Sequence, residues 1–96
     1  MKVLWNKKVS NELEAIYKYI KKESPQNAVF VFNKIYDLAN SLPNFPYKFP
    51  IEPIINIEKV RFAAIWSFKI VYSVEEESVV ILRVFNTKQN PKKFNQ

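Results

Sequence analysis

Between Leu42 and Pro53 the chain sets four prolines, Pro43, Pro46, Pro50 and Pro53, among Phe45, Tyr47 and Phe49. Proline has no backbone N–H and holds φ at about −65°, so this density excludes a helix interior and any central strand. The segment is a loop, and its aromatic residues make it a connector that packs on the fold. It divides the chain. Apolar residues recur at helical spacing before it and at period two after it.

The first part opens on a short strand, Lys2 to Trp5, followed by Asn6, whose side chain can cap a helix by accepting a backbone N–H. Val9, Leu13, Ile16 and Ile20 then recur at helical spacing, with Tyr17 beside them and Glu12, Glu14, Lys18 and Lys21 on the other face. This pattern predicts an amphipathic helix over 7–22. Ser24-Pro25 marks a second helix start, a cap followed by proline at the first helical position. That helix runs to Ser41 on a stripe of Ala28, Phe32, Ile35, Ala39 and Leu42. Val29, Phe30, Val31, Tyr36 and Leu38 lie off the stripe, so the helix is either sandwiched or partly turned to a partner. The two helices should form an antiparallel hairpin, because few residues join them.

The second part holds three strands. In Ile57–Trp66, Val60, Phe62 and Ala64 share one face and Lys59, Arg61 and Ala63 the other. In Phe68–Val74, Phe68, Ile70 and Tyr72 oppose Lys69, Val71 and Ser73. In Val79–Asn86, Val80, Leu82 and Val84 oppose Val79, Ile81, Arg83 and Phe85. Strict alternation assigns these faces, and Glu75-Glu76-Glu77 makes the last turn. The expectation is one α+β domain over residues 1–96, ordered β-α-α-β-β-β, with an antiparallel sheet and the helical hairpin packed on one face. Trp5 and Trp66 are read as core residues.

Composition removes several chemistries. The chain has no Cys, no His and no Gly. Disulfides, thiolate metal sites and Cys nucleophiles are excluded, as is the usual general base near neutral pH. Phosphate-cradling glycine loops are excluded as well. Ser67 and Ser73 have no histidine to activate them, and three consecutive glutamates on a tight turn point apart rather than converge on a metal. No metal and no cofactor are expected. The apolar opening, VLW, is broken at once by Asn6, Lys7 and Lys8, so no signal peptide is expected. No apolar run approaches the ~20 residues of a membrane helix. A cytoplasmic protein without membrane contact is the expectation.

What remains is charge. The net charge is +6 and the pI about 9.6. If the apolar faces assigned above turn toward the helices, Lys59, Arg61, Lys69 and Arg83 share the opposite face, beside a tail carrying Lys88, Lys92 and Lys93. These seven residues are the candidate binding set. Cationic and apolar surface together suit a stacked RNA or an amphipathic acidic protein segment. Lysine and arginine on strands also serve simply to block edge pairing, and their stems shield apolar surface.

The chain resembles the RelE/ParE toxins of bacterial type II toxin–antitoxin systems, the plasmid-stabilisation type, over nearly its whole length. The resemblance is carried by VLWNKKVSNELEAIYKYI, by SPQNA opening the second helix, by the LPNFP turn, and by VRFAAIWSFKIVYSV and VILRVFNTKQNP. It implies a β-α-α-β-β-β core, a cytosolic toxin that inhibits growth, and a cognate antitoxin that wraps and neutralises it. Two activities follow from it. ParE-like members bind and poison DNA gyrase without chemistry of their own. RelE-like members are metal-independent, ribosome-dependent mRNA endoribonucleases, and on that alternative Lys69, Arg61 and Arg83 would be the catalytic candidates. Lys69 stands where RNA-cleaving members usually carry arginine. Those relatives have further Arg, His or Tyr after the last strand, whereas this chain has Phe85-Asn86-Thr87-Lys88. The SPQNA start and the QNP tail are more ParE-like, which makes gyrase binding the expected function. A second alternative is an antitoxin-binding module with weak or lost activity. The broadly apolar second helix leaves room for a homodimer.

Overall fold

The computed structural model describes residues 1–88. The elements are β1 (Lys2–Trp5), α1 (Lys7–Lys21), α2 (Pro25–Ser41) with a 3-10 turn at Leu42–Asn44, β2 (Val60–Ile65), β3 (Phe68–Val74) and β4 (Ser78–Asn86). Both expected caps are present. The Asn6 side chain accepts from Val9 N at 2.8 Å and the Ser24 hydroxyl from Asn27 N at 3.2 Å. Pro25 follows at the first helical position.

One hydrophobic cluster joins both layers. Val9, Leu13 and Ile16 of α1 and Val31, Ile35 and Ala39 of α2 pack with Phe68, Ile70, Tyr72 and Val74 of β3 and Val79, Ile81 and Val84 of β4. Full burial of such a side chain stabilises by about 1.5–3 kcal/mol. Val31 takes a core place and Phe32 is only partly buried, a small rotation from the expected stripe. Phe32 turns instead to its aromatic neighbours, stacking on Tyr36 at 6.0 Å and meeting Tyr17 edge-on at 6.0 Å.

The expected α+β fold is present, but the sheet is mixed rather than wholly antiparallel. Its order is β1-β4-β3-β2, with β1 parallel to β4. The last three strands are antiparallel, as short turns dictate. No short turn sets the direction of β1. It is joined to the rest through the helical hairpin, which serves as a crossover and permits parallel pairing.

β2, and β4 up to its bulge, turn their faces opposite to those that alternation assigns, whereas Val84 faces the core as expected. In β2, Arg61, Ala63 and Ile65 pair with the core residues Tyr72, Ile70 and Phe68. Arg61 therefore lies on the helix side, and Phe62 with Ala64 on the other. β2 carries apolar residues at both parities, so only its register against β3 settles the matter. In β4, Val71 pairs with Arg83 but Tyr72 pairs with Ile81. This bulge inserts a residue, so Val79 and Ile81 face the core before it and Val84 after it. No unbroken alternation could place all three inward.

Candidate functional site

Four of the predicted basic residues, Lys59, Arg61, Lys69 and Arg83, are held by carboxylates and carbonyls that the fold brings to them. Lys69 lies on the sheet face away from the helices, opposite Phe85 across the ladder. Its Nζ is 3.5 Å from Glu52 Oε1 and 4.4 Å from the centre of the Phe62 ring. Glu52 is 0% exposed. Its backbone joins the edge of β2, N–H to the Val60 carbonyl at 2.9 Å, next to an isolated bridge between Ile51 and Arg61. Its carboxylate accepts from Ile54 N at 3.1 Å and Ile55 N at 2.7 Å. The proline segment is thus folded around a buried anion, which satisfies its turn N–H groups and the Lys69 ammonium together. Asn56, at φ 56°, completes the turn, a backbone state asparagine tolerates.

Arg61 points elsewhere. Its Nε donates to the Glu58 carbonyl at 2.8 Å and its Nη1 to the Phe49 carbonyl at 3.1 Å, and the guanidinium lies 4.9 Å from the Tyr47 ring centre. It clamps the proline segment to the sheet. Tyr72, its neighbour across the ladder, donates its hydroxyl to the Pro46 carbonyl at 2.7 Å. Burial pushes the Tyr72 phenol up to about 12, against the opposing pull of Arg61.

Arg83 is engaged at the β4 edge. Its Nε donates to Glu12 Oε2 at 2.7 Å, and Val84 N donates to Glu12 Oε1 at 3.1 Å. The ladder with β1 ends at Trp5 and Ile81. Beyond it, the α1 carboxylate takes the place of a strand partner. Arg83 also stacks over Phe85 at 5.3 Å. Lys59 sits at the far end of the sheet, paired with Glu75 at 3.2 Å. The Ser73 hydroxyl and then Lys59 hold the Glu75 carboxyl below its usual range.

Of the predicted set, then, the sheet brings together Lys69 and Arg83, on adjacent strands. It separates Arg61 and Lys59 from them. Lys88 is exposed past the end of β4, where the Asn86 side chain accepts from its N–H at 3.0 Å. Lys92 and Lys93 lie outside the described residues. Sequence reasoning missed Glu52 and Glu12. The available signal was a lone acid inside a proline-aromatic run, and an acid on the flank of an amphipathic helix.

The aromatic residues outside the core have a different character. Half-buried Trp5, Phe32 and Tyr17 form a run of rings with exposed Tyr36 across β1 and both helices, with Lys21 over Tyr17. The Trp5 indole N–H is buried there without an acceptor among the described residues. Phe30 and Trp66 form a separate pair that is exposed, so Trp66 is not the core residue expected. Among the described residues, no group of three acidic side chains could hold a metal ion. No helix there is long and apolar enough to cross a membrane.

Residues 3–91 match the family model described as ParE toxin of the type II toxin–antitoxin system parDE. The fold matches a chain of a solved structure titled "Chromosomal ParDE TA system from P. aeruginosa", with a TM-score of 0.74 and 24% sequence identity. The match covers 90% of this chain and 95% of that one. No curated protein matches the chain significantly in sequence.

Proposed function

The chain belongs to the ParE toxin family of type II toxin–antitoxin systems, and on that premise we propose that it arrests growth by binding DNA gyrase and is neutralised by a cognate antitoxin. The observation that carries this reading is the engagement of the cations an RNA-cleaving site would use. Lys69 faces Glu52, Arg83 faces Glu12, and Arg61 is turned onto backbone carbonyls of the proline segment.

Attack by a ribose 2′-OH needs a base titrating near the working pH, an acid for the leaving group, and cationic stabilisation of the phosphorane. Tyr72 cannot supply the base, since its phenol, raised to about 12, stays protonated in any cell. A cation already facing a carboxylate offers little further stabilisation to a phosphate. A toxin that acts by binding needs none of this set. It needs apolar and cationic surface, which exposed Phe30, Trp66 and Tyr36 and the lysine beside Phe30 supply. Gyrase and an antitoxin would both meet such a protein in the cytoplasm, and stable inheritance of a plasmid or chromosomal segment would follow from the pairing.

A supercoiling assay with purified gyrase tests the reading. Inhibition at micromolar toxin, relieved by antitoxin, is the expected result. Full supercoiling in that assay, together with new mRNA ends inside translated codons after induction, would replace it with ribosome-dependent RNA cleavage. Unaffected growth on expression without antitoxin would leave only an antitoxin-binding module.

A further inference from the structure

The turn between β2 and β3 holds a tryptophan where the backbone disfavours one. Trp66 has φ 52°, in the left-handed region. For a bulky residue that state costs about 1–2 kcal/mol. Asparagine or glycine would remove the cost. The turn is nevertheless braced, since the Ser67 carbonyl accepts from Thr87 N at 2.8 Å and from the Thr87 hydroxyl at 2.9 Å. The side chain so positioned is not buried by the fold. Trp66 is 59% exposed and leans on Phe30 of α2, itself 51% exposed, with ring centres 5.9 Å apart. Residues held in such sparsely populated states cluster at ligand clamps and switch regions, and this one displays an apolar side chain to water.

The two rings wall a cavity of about 310 Å³ whose floor is Ile20, Val31 and Phe68. That volume is at the small end for ligand pockets, suited to one or two side chains. Tryptophan beside such a cavity is the residue type that anchors protein interfaces.

Charge selects the occupant. Lys34 Nζ lies 5.6 Å from the centre of the Phe30 ring. Lys88 follows Thr87, which is tied to the turn. The Glu75-Glu76-Glu77 turn is at the opposite end of β3. Glu23, in the connection between the helices, is the acid closest in sequence to the pocket residues. A second copy of a chain carrying +6 would meet repulsion here, whereas an acidic segment would be attracted.

We propose that the Phe30–Trp66 cavity is an anchor pocket for the antitoxin, taking one large apolar side chain from an acidic segment whose carboxylates meet Lys34 and Lys88. The proposal rests on the antitoxin reading above. Apolar burial in the pocket supplies the affinity, and the two lysines set orientation and salt dependence.

The test uses full-length antitoxin and calorimetric titration. Trp66→Asn keeps the left-handed turn accessible, so its melting temperature should equal or exceed that of the wild type, while its antitoxin affinity falls at least tenfold. Phe30→Gln, on an exposed helix face, should lose affinity similarly and serves if the first variant folds poorly. Lys34→Glu should weaken binding and flatten its salt dependence. Affinities within twofold of wild type for both aromatic variants would overturn the pocket and leave the antitoxin reading intact. A wild-type chain that binds no antitoxin would remove both. Two other outcomes also overturn it. Normal antitoxin binding with lost gyrase inhibition would hand the pocket to the target. A wild-type dimer that Trp66→Asn dissociates in sedimentation would hand it to a second copy of the chain.

Discussion

Tyr72 is fully buried and donates its hydroxyl to the Pro46 carbonyl at 2.7 Å. Its pKa is raised from 10.0 to about 12 because ionising it would strand an anion in an apolar interior. The folded state therefore holds this proton more tightly than the unfolded chain does. Its contribution is complete below pH 10 and declines as pH rises toward 12. The two-unit interval corresponds to about 3 kcal/mol at most. Tyr72→Phe should cost about 1 kcal/mol near neutral pH through the lost hydrogen bond. It should also flatten the fall in urea midpoint across that alkaline range, and an unchanged slope in the variant would assign the fall to other groups. Sequence reading found Tyr72 as a core filler from alternation alone. It also found Lys69 and Arg83 as unusual cations, but not their carboxylates. Arg83 and Glu12 lie 71 positions apart, and nothing local announces a contact across that span.

At the scale of elements, the helix caps were legible because they are short-range. A side-chain oxygen three residues before a free N–H is visible in the order of residues. The β4 bulge was not legible. Its apolar residues read as one continuous alternating strand, and the inserted residue is defined only by the partner opposite. The same strand outruns β1, and Glu12 of α1 closes the gap by taking the Val84 N–H and the Arg83 guanidinium. Removing that carboxylate takes the acceptor from the Val84 N–H and the ion pair from Arg83, at a cost of about 2 kcal/mol. Glu12→Ala should lower stability by that amount in urea denaturation. Glu12→Gln should cost less, since an amide oxygen can still accept from Val84. A loss below about 0.5 kcal/mol for the alanine variant would falsify the role given to this edge contact.

The whole molecule carries a net charge of +6 over 96 residues. Among the described residues Lys18, Lys59, Lys69 and Arg83 pair with acids of the same chain, and the excess positive charge that remains acts as a long-range field. Such a field steers an acidic partner and is screened beyond about 8–10 Å at ordinary ionic strength. The association rate with antitoxin should fall about tenfold or more from low to high salt, with little change in dissociation. Stopped-flow mixing across salt concentrations reads both. A salt-independent association rate would mean that apolar contact alone guides the encounter.

The order of residues by itself determined the class of fold, because each cue acts over a few positions: proline density at 43–53, helical spacing before it, strand alternation after it, and two capping residues. It determined the family as well, through a succession of short segments in order. Only the tertiary structure decided the direction of β1, the faces of β2 and β4, and the partners of Lys69, Arg61 and Arg83. Register, a bulge and contacts between distant residues are properties of two segments brought together, and neither segment carries them alone. The surface changed most for that reason. Cations that looked like an open basic face are laid against Glu52, Glu12 and the proline segment, while Trp66, expected in the core, stands exposed at a turn.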